Sequence, residues 1–180
     1  MKKLIVLLAL VLTASFVFAT GSVQDKKSTR KEKRKAEQQR QYVLTKRMLE
    51  DRNFVLETNF LDNRYGDRFN VSPTINFIKI DNNQAVIQIG SDHGMGANGV
   101  GGVTAKGNIT KWDVKENPKS QTFQASILVS TPIGIYDLNF NICPNGLTSA
   151  RLTGNYSGSL TFNGRLIPVD ESIVYEGWSL

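Results

Sequence analysis

Residues 121–143, QTFQASILVSTPIGIYDLNFNIC, carry two successive alternations of apolar and polar side chains. Phe123, Ala125, Ile127 and Val129 alternate with Thr122, Gln124, Ser126 and Leu128. Tyr136, Leu138, Phe140 and Ile142 then alternate with Asp137, Asn139 and Asn141. Successive side chains of a strand point to opposite faces, so each run offers one row to a core and the other to water. The same period extends outward along the chain. Phe54, Leu56, Thr58 and Phe60 alternate with Val55, Glu57 and Asn59, and Ala85, Ile87 and Ile89 with Gln84, Val86 and Gln88. Asp81-Asn82-Asn83, Pro144-Asn145-Gly146 and Asn163-Gly164 separate apolar runs, and Asn-Gly in particular supplies the positive φ of tight hairpins. The pattern predicts nine short strands: 53–60, 67–72, 74–80, 84–90, 102–114, 121–131, 134–143, 147–155 and 158–175, the last split at Asn163-Gly164. Short turns and no second helix argue an all-β antiparallel meander. Closure as a barrel or folding over as a sandwich would remove the exposed edges of so long a sheet.

Upstream the period is helical. From Lys26 to Asp51 there is no Gly or Pro, most residues are good helix formers, and the segment predicts a helix over Thr29 to Glu50. Ala36, Val43, Leu44 and Leu49 form a narrow apolar stripe whose last turns should dock on the β-domain. Charge is unevenly placed. Residues 1–51 hold 12 Lys+Arg against 5 Asp+Glu, a net +7, and residues 52–180 hold 10 against 11, a net −1. A near-neutral fold without a basic patch does not read as a nucleic-acid partner. The basic helix reads either as a solvated spacer or as a weak contact with an anionic membrane surface. Lys2 and Lys3, the apolar Leu4 to Leu12 and the small-residue ending Val17-Phe18-Ala19 have the three parts of an export signal, and the apolar run is too short to span a bilayer. The expected organisation is a signal peptide over 1–19, a basic helical segment over 20–51 and one β-domain over 52–180. The mature chain is expected to be monomeric, in the periplasm or outer envelope.

Cys143 is the sole cysteine, so no intramolecular disulfide forms. It lies too far from the leader to carry the lipid of a Cys-anchored lipoprotein. At a predicted strand end, it reads as a small buried hydrophobe.

The order of short motifs resembles an exported Bacteroidetes family, domain of unknown function 4251. The motifs are the charged helix running into Arg52-Asn53-Phe54-Val55-Leu56-Glu57 and Ile78-Lys79-Ile80-Asp81 with the following Asn82 to Ile87. To these are added the Gly-rich stretch before Gly107-Asn108-Ile109, the Pro144-Asn145-Gly146 hairpin and the closing Val174-Tyr175-Glu176-Gly177. The resemblance covers about residues 30–180. The family's Leu-Pro-Tyr element after the fourth strand is replaced here by Ile89-Gly90-Ser91-Asp92. The resemblance implies export and a β-rich single domain, and it implies no activity.

Few residues suggest chemistry. Gly94-Met95-Gly96-Ala97-Asn98-Gly99 spells G-x-G-x-x-G, but Val100-Gly101-Gly102-Val103-Thr104 cannot open the helix a dinucleotide site requires. Gly94, Gly96 and Gly99 are instead candidates for a flap in the loop from Gly90 to Gly102, whose rival reading is a connection across a barrel end. His93 is the single histidine, too few with one cysteine for a zinc site, and no nucleophile motif accompanies it. Asp170-Glu171 would need to span a cleft to hydrolyse a sugar, and adjacent strand residues diverge, so the pair reads as marking a hairpin or bulge near Pro168. The Asn-X-Ser/Thr triplets at Asn70, Asn108 and Asn155 read as chance in a bacterial chain. Trp112, Tyr136 and Tyr175 are candidates to line a pocket for a small apolar ligand, although strand aromatics are commonly core. No catalytic residue, cofactor or metal is expected. The leading expectation is a non-catalytic binding or structural module of the envelope. A lipocalin-like carrier comes second, and a hydrolase with an unrecognised site third.

Overall fold

Alternating apolar rows need a partner surface, and here the sheet supplies it by closing on itself. The computed structural model describes residues 21–91, 96–154 and 158–179, with side chains from Thr29 onward. Helix α1 (Gly21–Glu50) is followed by β1 (Asn53–Asp62), β2 (Arg68–Asn70), β3 (Phe77–Asp81), β4 (Gln84–Ile89), β5 (Val103–Asn117), β6 (Thr122–Thr131), β7 (Gly134–Ile142), β8 (Leu147–Gly154) and β9 (Ser159–Ile167). Neighbours pair antiparallel in the order β1-β3-β4-β5-β6-β7-β8-β9, and β9 returns to β1, so eight strands close a barrel. β2 adds to the far end of β1, on Phe60 to Asp62. An eight-stranded barrel is just wide enough for side chains to fill it. Phe54, Leu56, Ile127, Phe140, Phe162 and Leu166 do so with almost no solvent contact. The nine expected strands are thus present, though not all with the expected bounds, and the sheet closes as a barrel in place of a sandwich.

The described residues divide into two units, one ending at Gln39 and the other beginning at Arg40. Within the second, the last turns of α1 lie on the barrel: Thr45, Met48 and Leu49 are buried and Tyr42 and Leu44 partly so. The Tyr42 ring stacks on Phe123 at 5.4 Å, its hydroxyl donates to Glu116, and Lys46 Nζ donates to Glu116 Oε2 at 2.9 Å. Val43, expected in the apolar stripe, is 57% exposed. It falls one residue off the 42, 45, 49 spacing that faces the wall. Ala36 is also exposed, within the first unit. α1 begins at Gly21, earlier than expected, and ends where Arg52 takes a left-handed conformation (φ 51°) and turns the chain into β1.

The Tyr42 hydroxyl and then the Lys46 ammonium hold the Glu116 carboxyl below its usual 4.5. Its contribution to docking α1 is therefore present above that usual value and lost as pH falls through the depressed one. A Glu116→Gln variant should melt below the wild type near neutral pH and together with it in strong acid. Parallel melting curves at both ends of that range would show that Glu116 does not hold the helix.

Five local expectations are corrected by packing. A bulge at Asn59 shifts the register of β1 against β9 between Thr58 and Phe60, so Phe60 turns outward and Leu61 takes its place inside. β9 ends at Ile167 and passes unbroken through Asn163-Gly164, which lies opposite that bulge. Beyond β9, Asp170-Glu171 sit in a 3-10 turn (Val169–Glu171) instead of a hairpin or bulge. The following segment crosses the outer wall, where Val169 and Val174 cover Val55, Phe77 and Val86. For this reason the outward residues Val55, Val86 and Gln88 are as buried as the inward ones. Lastly, Cys143 is exposed, because it falls on the outward row just past the end of β7.

Candidate functional site

The three aromatic candidates do not converge. Trp112 stands opposite Ile127 on the inward row and lies 6.3 Å from the Phe54 ring, with the Arg52 guanidinium 5.0 Å above its face. Tyr136 stands opposite Val129 on the same row and packs over Gly154, where an added Cβ would come within 3.1 Å of the ring. Both pack against the barrel core. Tyr175 is 61% exposed on the C-terminal segment, outside the wall.

The flap candidates are fixed where they are described. Gly94 and His93 lie outside the described residues. The Gly99 amide donates to Gly96 O at 2.9 Å in a turn with Gly99 at φ 75°, and a Cβ on Gly96 would meet Gly102 N at 2.4 Å. Buried Asn98 organises this stretch. Its Oδ1 accepts from Val100 N and Gly102 N, its Nδ2 donates to Thr104 Oγ1, and its carbonyl accepts from Trp178 N. Next to it, buried Gln88 donates to Ile75 O and Tyr175 O and accepts from Thr104 Oγ1 and Gly177 N. Glu176 reaches Lys106 and Lys79, at 3.2 and 3.7 Å. The amides thus tie residues 96–102 and the C-terminal segment to the wall of β4 and β5.

A different concavity lies on the opposite stretch of wall. Because Phe140, Ala150 and Phe162 point inward, Asn141, Ser149 and Asn163 point outward. Register then sets them in one lateral row, Asn141 opposite Ser149, Ser149 opposite Asn163 and Asn163 opposite Phe60. The bulge at Asn59 delivers Phe60 to that row. Together with Arg68 and Leu147 these residues line a groove of about 320 Å³, with Cys143 also on its lining.

The groove carries little free charge. Arg68 Nε and Nη2 bind Asp62 Oδ1 and Oδ2 at 2.7 and 2.9 Å, and the guanidinium lies 5.3 Å over the Phe60 ring. Asn163 Nδ2 donates to Asp62 Oδ2 at 2.9 Å. The Arg68 hydrogen bonds, despite some burial, hold the Asp62 carboxyl below its usual range, and in return they raise the Arg68 guanidinium. What the groove offers is carboxamides, a hydroxyl and apolar surface from Phe60 and Leu147. This set can hydrogen-bond and stack on a neutral polar ligand, and it contains no acid–base pair or activated nucleophile. Among the described residues no group of three or more His, Cys, Asp or Glu side chains could hold a metal ion.

Sequence reading missed the groove because it spans five strands. Its signal was present in the choice of outward residues: Asn141, Ser149 and Asn163 are short and uncharged where Lys or Glu would serve solubility equally well.

Comparison with known proteins bears on the fold. No curated protein matches the chain. A crystal structure of a DUF4251 family protein from Bacteroides eggerthii superposes with a TM-score of 0.63 at 22% identity, covering 73% of this chain and 90% of that one. The family model for domain of unknown function DUF4251 matches residues 36–166, from within α1 through all but the last residue of β9. The motif order, the barrel and this match agree, and the chain belongs to the DUF4251 family.

Proposed function

We propose that this protein is an exported, non-catalytic binding module of the bacterial envelope, and that its binding face is the outer-wall groove between Asn141 and Phe60. The observation that carries the reading is where apolar volume is spent. Phe54, Phe140 and Phe162 fill the barrel interior, with Phe54 and Phe140 edge-to-face at 5.8 Å. A lipocalin-like carrier needs that volume for its ligand. A ligand of this protein is therefore met on the outside, where the groove presents amides and one aromatic ring with its cation already neutralised. Such a surface suits a neutral, hydroxyl-rich chain such as a glycan. Export is supported by the leader-like residues 1–19 of the sequence.

Two measurements test the reading. Protein taken from its native host should begin at or within a few residues of Thr20, and an intact Met1 on the mature chain would remove the envelope from the proposal. Envelope polysaccharide fragments titrated against the barrel should shift amide resonances of β7, β8 and β9. An Asn141→Ala, Asn163→Ala variant should weaken that binding about tenfold or more, since losing two ligand hydrogen bonds is worth about 1–3 kcal/mol, and it should stay folded, losing no more than about 1.5 kcal/mol with the Asn163–Asp62 hydrogen bond. Shifts confined to inward-facing residues would favour the carrier instead.

A further inference from the structure

We propose that the face of α1 formed by Arg30, Lys31, Arg34 and Lys35 docks on an anionic lipid surface. A helix advances about 100° per residue. Taking Arg30 as the origin, Arg34 lies at about 40°, Lys31 at about 100° and Lys35 at about 140°, so four cations share one arc within roughly two turns. All four are exposed, and among the described residues none forms an ion pair. Glu32 falls outside the arc at about 200°, and Glu37 just outside its other edge.

Arg30 with Arg34, and Lys31 with Lys35, stand four residues apart, the spacing at which like charges destabilise a helix. Among the described residues no ion pair offsets that repulsion, and an anionic partner would. Ala36 is the only apolar residue between Lys26 and Arg40, which leaves no face to insert into hydrocarbon. The contact is therefore electrostatic and superficial. A one-sided arc on a straight helix suits a plane, because all four side chains can touch it together. A flexible anionic polymer could equally use cations placed around the whole circumference. Two other cations, Lys33 and Arg40, sit on the far side, at about 300° and 280°. The inference rests on the export reading for the membrane it meets and is independent of the groove.

The test uses the mature full chain and sedimentation with vesicles of phosphatidylcholine, with and without phosphatidylglycerol. Binding should require phosphatidylglycerol and fade with added salt over the range in which screening shortens. Changing all four stripe residues to Gln should lower the partition coefficient roughly 600-fold, since each basic residue near an anionic surface contributes about fivefold. The decisive comparison removes equal charge from two faces. Arg34→Gln with Lys35→Gln should lose most of the binding, and Lys33→Gln with Arg40→Gln should lose much less. Equal losses would overturn the docking face. So would equal binding to neutral vesicles, no binding to either, or stronger binding to a soluble polyanion than to vesicles. Circular dichroism of each variant separates lost charge from lost helix, and the groove variant Asn141→Ala, Asn163→Ala should bind vesicles unchanged.

Discussion

Replacing Phe140 with alanine is expected to cost about 3–5 kcal/mol, and replacing Leu138 about 2–5 kcal/mol, through lost burial and the cavity left behind. Both side chains are almost wholly inaccessible, and Phe140 meets the Phe54 ring edge-to-face. The register places Ala125 opposite Phe140 and Ile127 opposite Leu138, so the voids would open inside the barrel against β6. Phe123→Ala and Ile127→Ala should behave alike. Asn139 and Asn141 alternate with these residues on the exposed outer face, as Gln124 does on β6. Alanine there should change stability by no more than about 0.5 kcal/mol. Denaturant melts of the two sets measure the contrast. If the outward set proved as costly as the inward one, both faces of β6 and β7 would be buried and a one-walled barrel would be wrong.

That contrast was legible in residues 121–143, because period two is a property of one strand and its solvent. The hairpin turns were legible for a similar reason. Asn82, at φ 54°, and Gly146, at φ 77°, occupy positions where local backbone chemistry alone selects the residue. The docked end of α1 was readable at Leu49 and Leu44 and misread at Val43, where spacing outranks hydrophobicity. What the sequence did not disclose depends on distant segments. Val86 and Gln88 look like the wet side of β4 until residues 168–179 cover them. Phe60 looks inward until the bulge at Asn59 reverses it. The groove is harder still, since Asn141, Ser149, Asn163 and Phe60 meet only through the registers of three strand pairs. Trp112, Tyr136 and Tyr175 were grouped by residue type, and type does not say on which side of a wall a side chain lies.

Gly164→Ala is expected to be among the most damaging single substitutions outside the core, although it adds only one methyl group. An ideal Cβ at Gly164 would stand 1.8 Å from the carbonyl oxygen of Glu57, 2.7 Å from its carbonyl carbon and 2.9 Å from Thr58 Cα. All three are backbone atoms of β1, so no rotamer change relieves the contact and one strand has to move. The site matters as much as the distance. Gly164 pairs with Thr58 beside the bulge, in the β1–β9 seam that closes the barrel. Pushing β1 away there would strain the hydrogen bonds of the seam and loosen Leu56 and Leu166, which stand opposite each other inside it. The expected loss is about 3 kcal/mol or more, the upper range for forcing atoms into a packed site. Hydrogen exchange should quicken in β1 and β9 before β6 and β7. Gly158 offers the matched control, since an added Cβ there meets nothing within 4 Å. Gly158→Ala should fall within about 1 kcal/mol of the wild type, on the stabilising side if the unfolded chain loses freedom. Two glycines in or beside the same strand would then differ by several kcal/mol for one reason, the approach of the β1 backbone. If both variants melted with the wild type, β1 and β9 would not lie at that distance, and the barrel would have to close elsewhere.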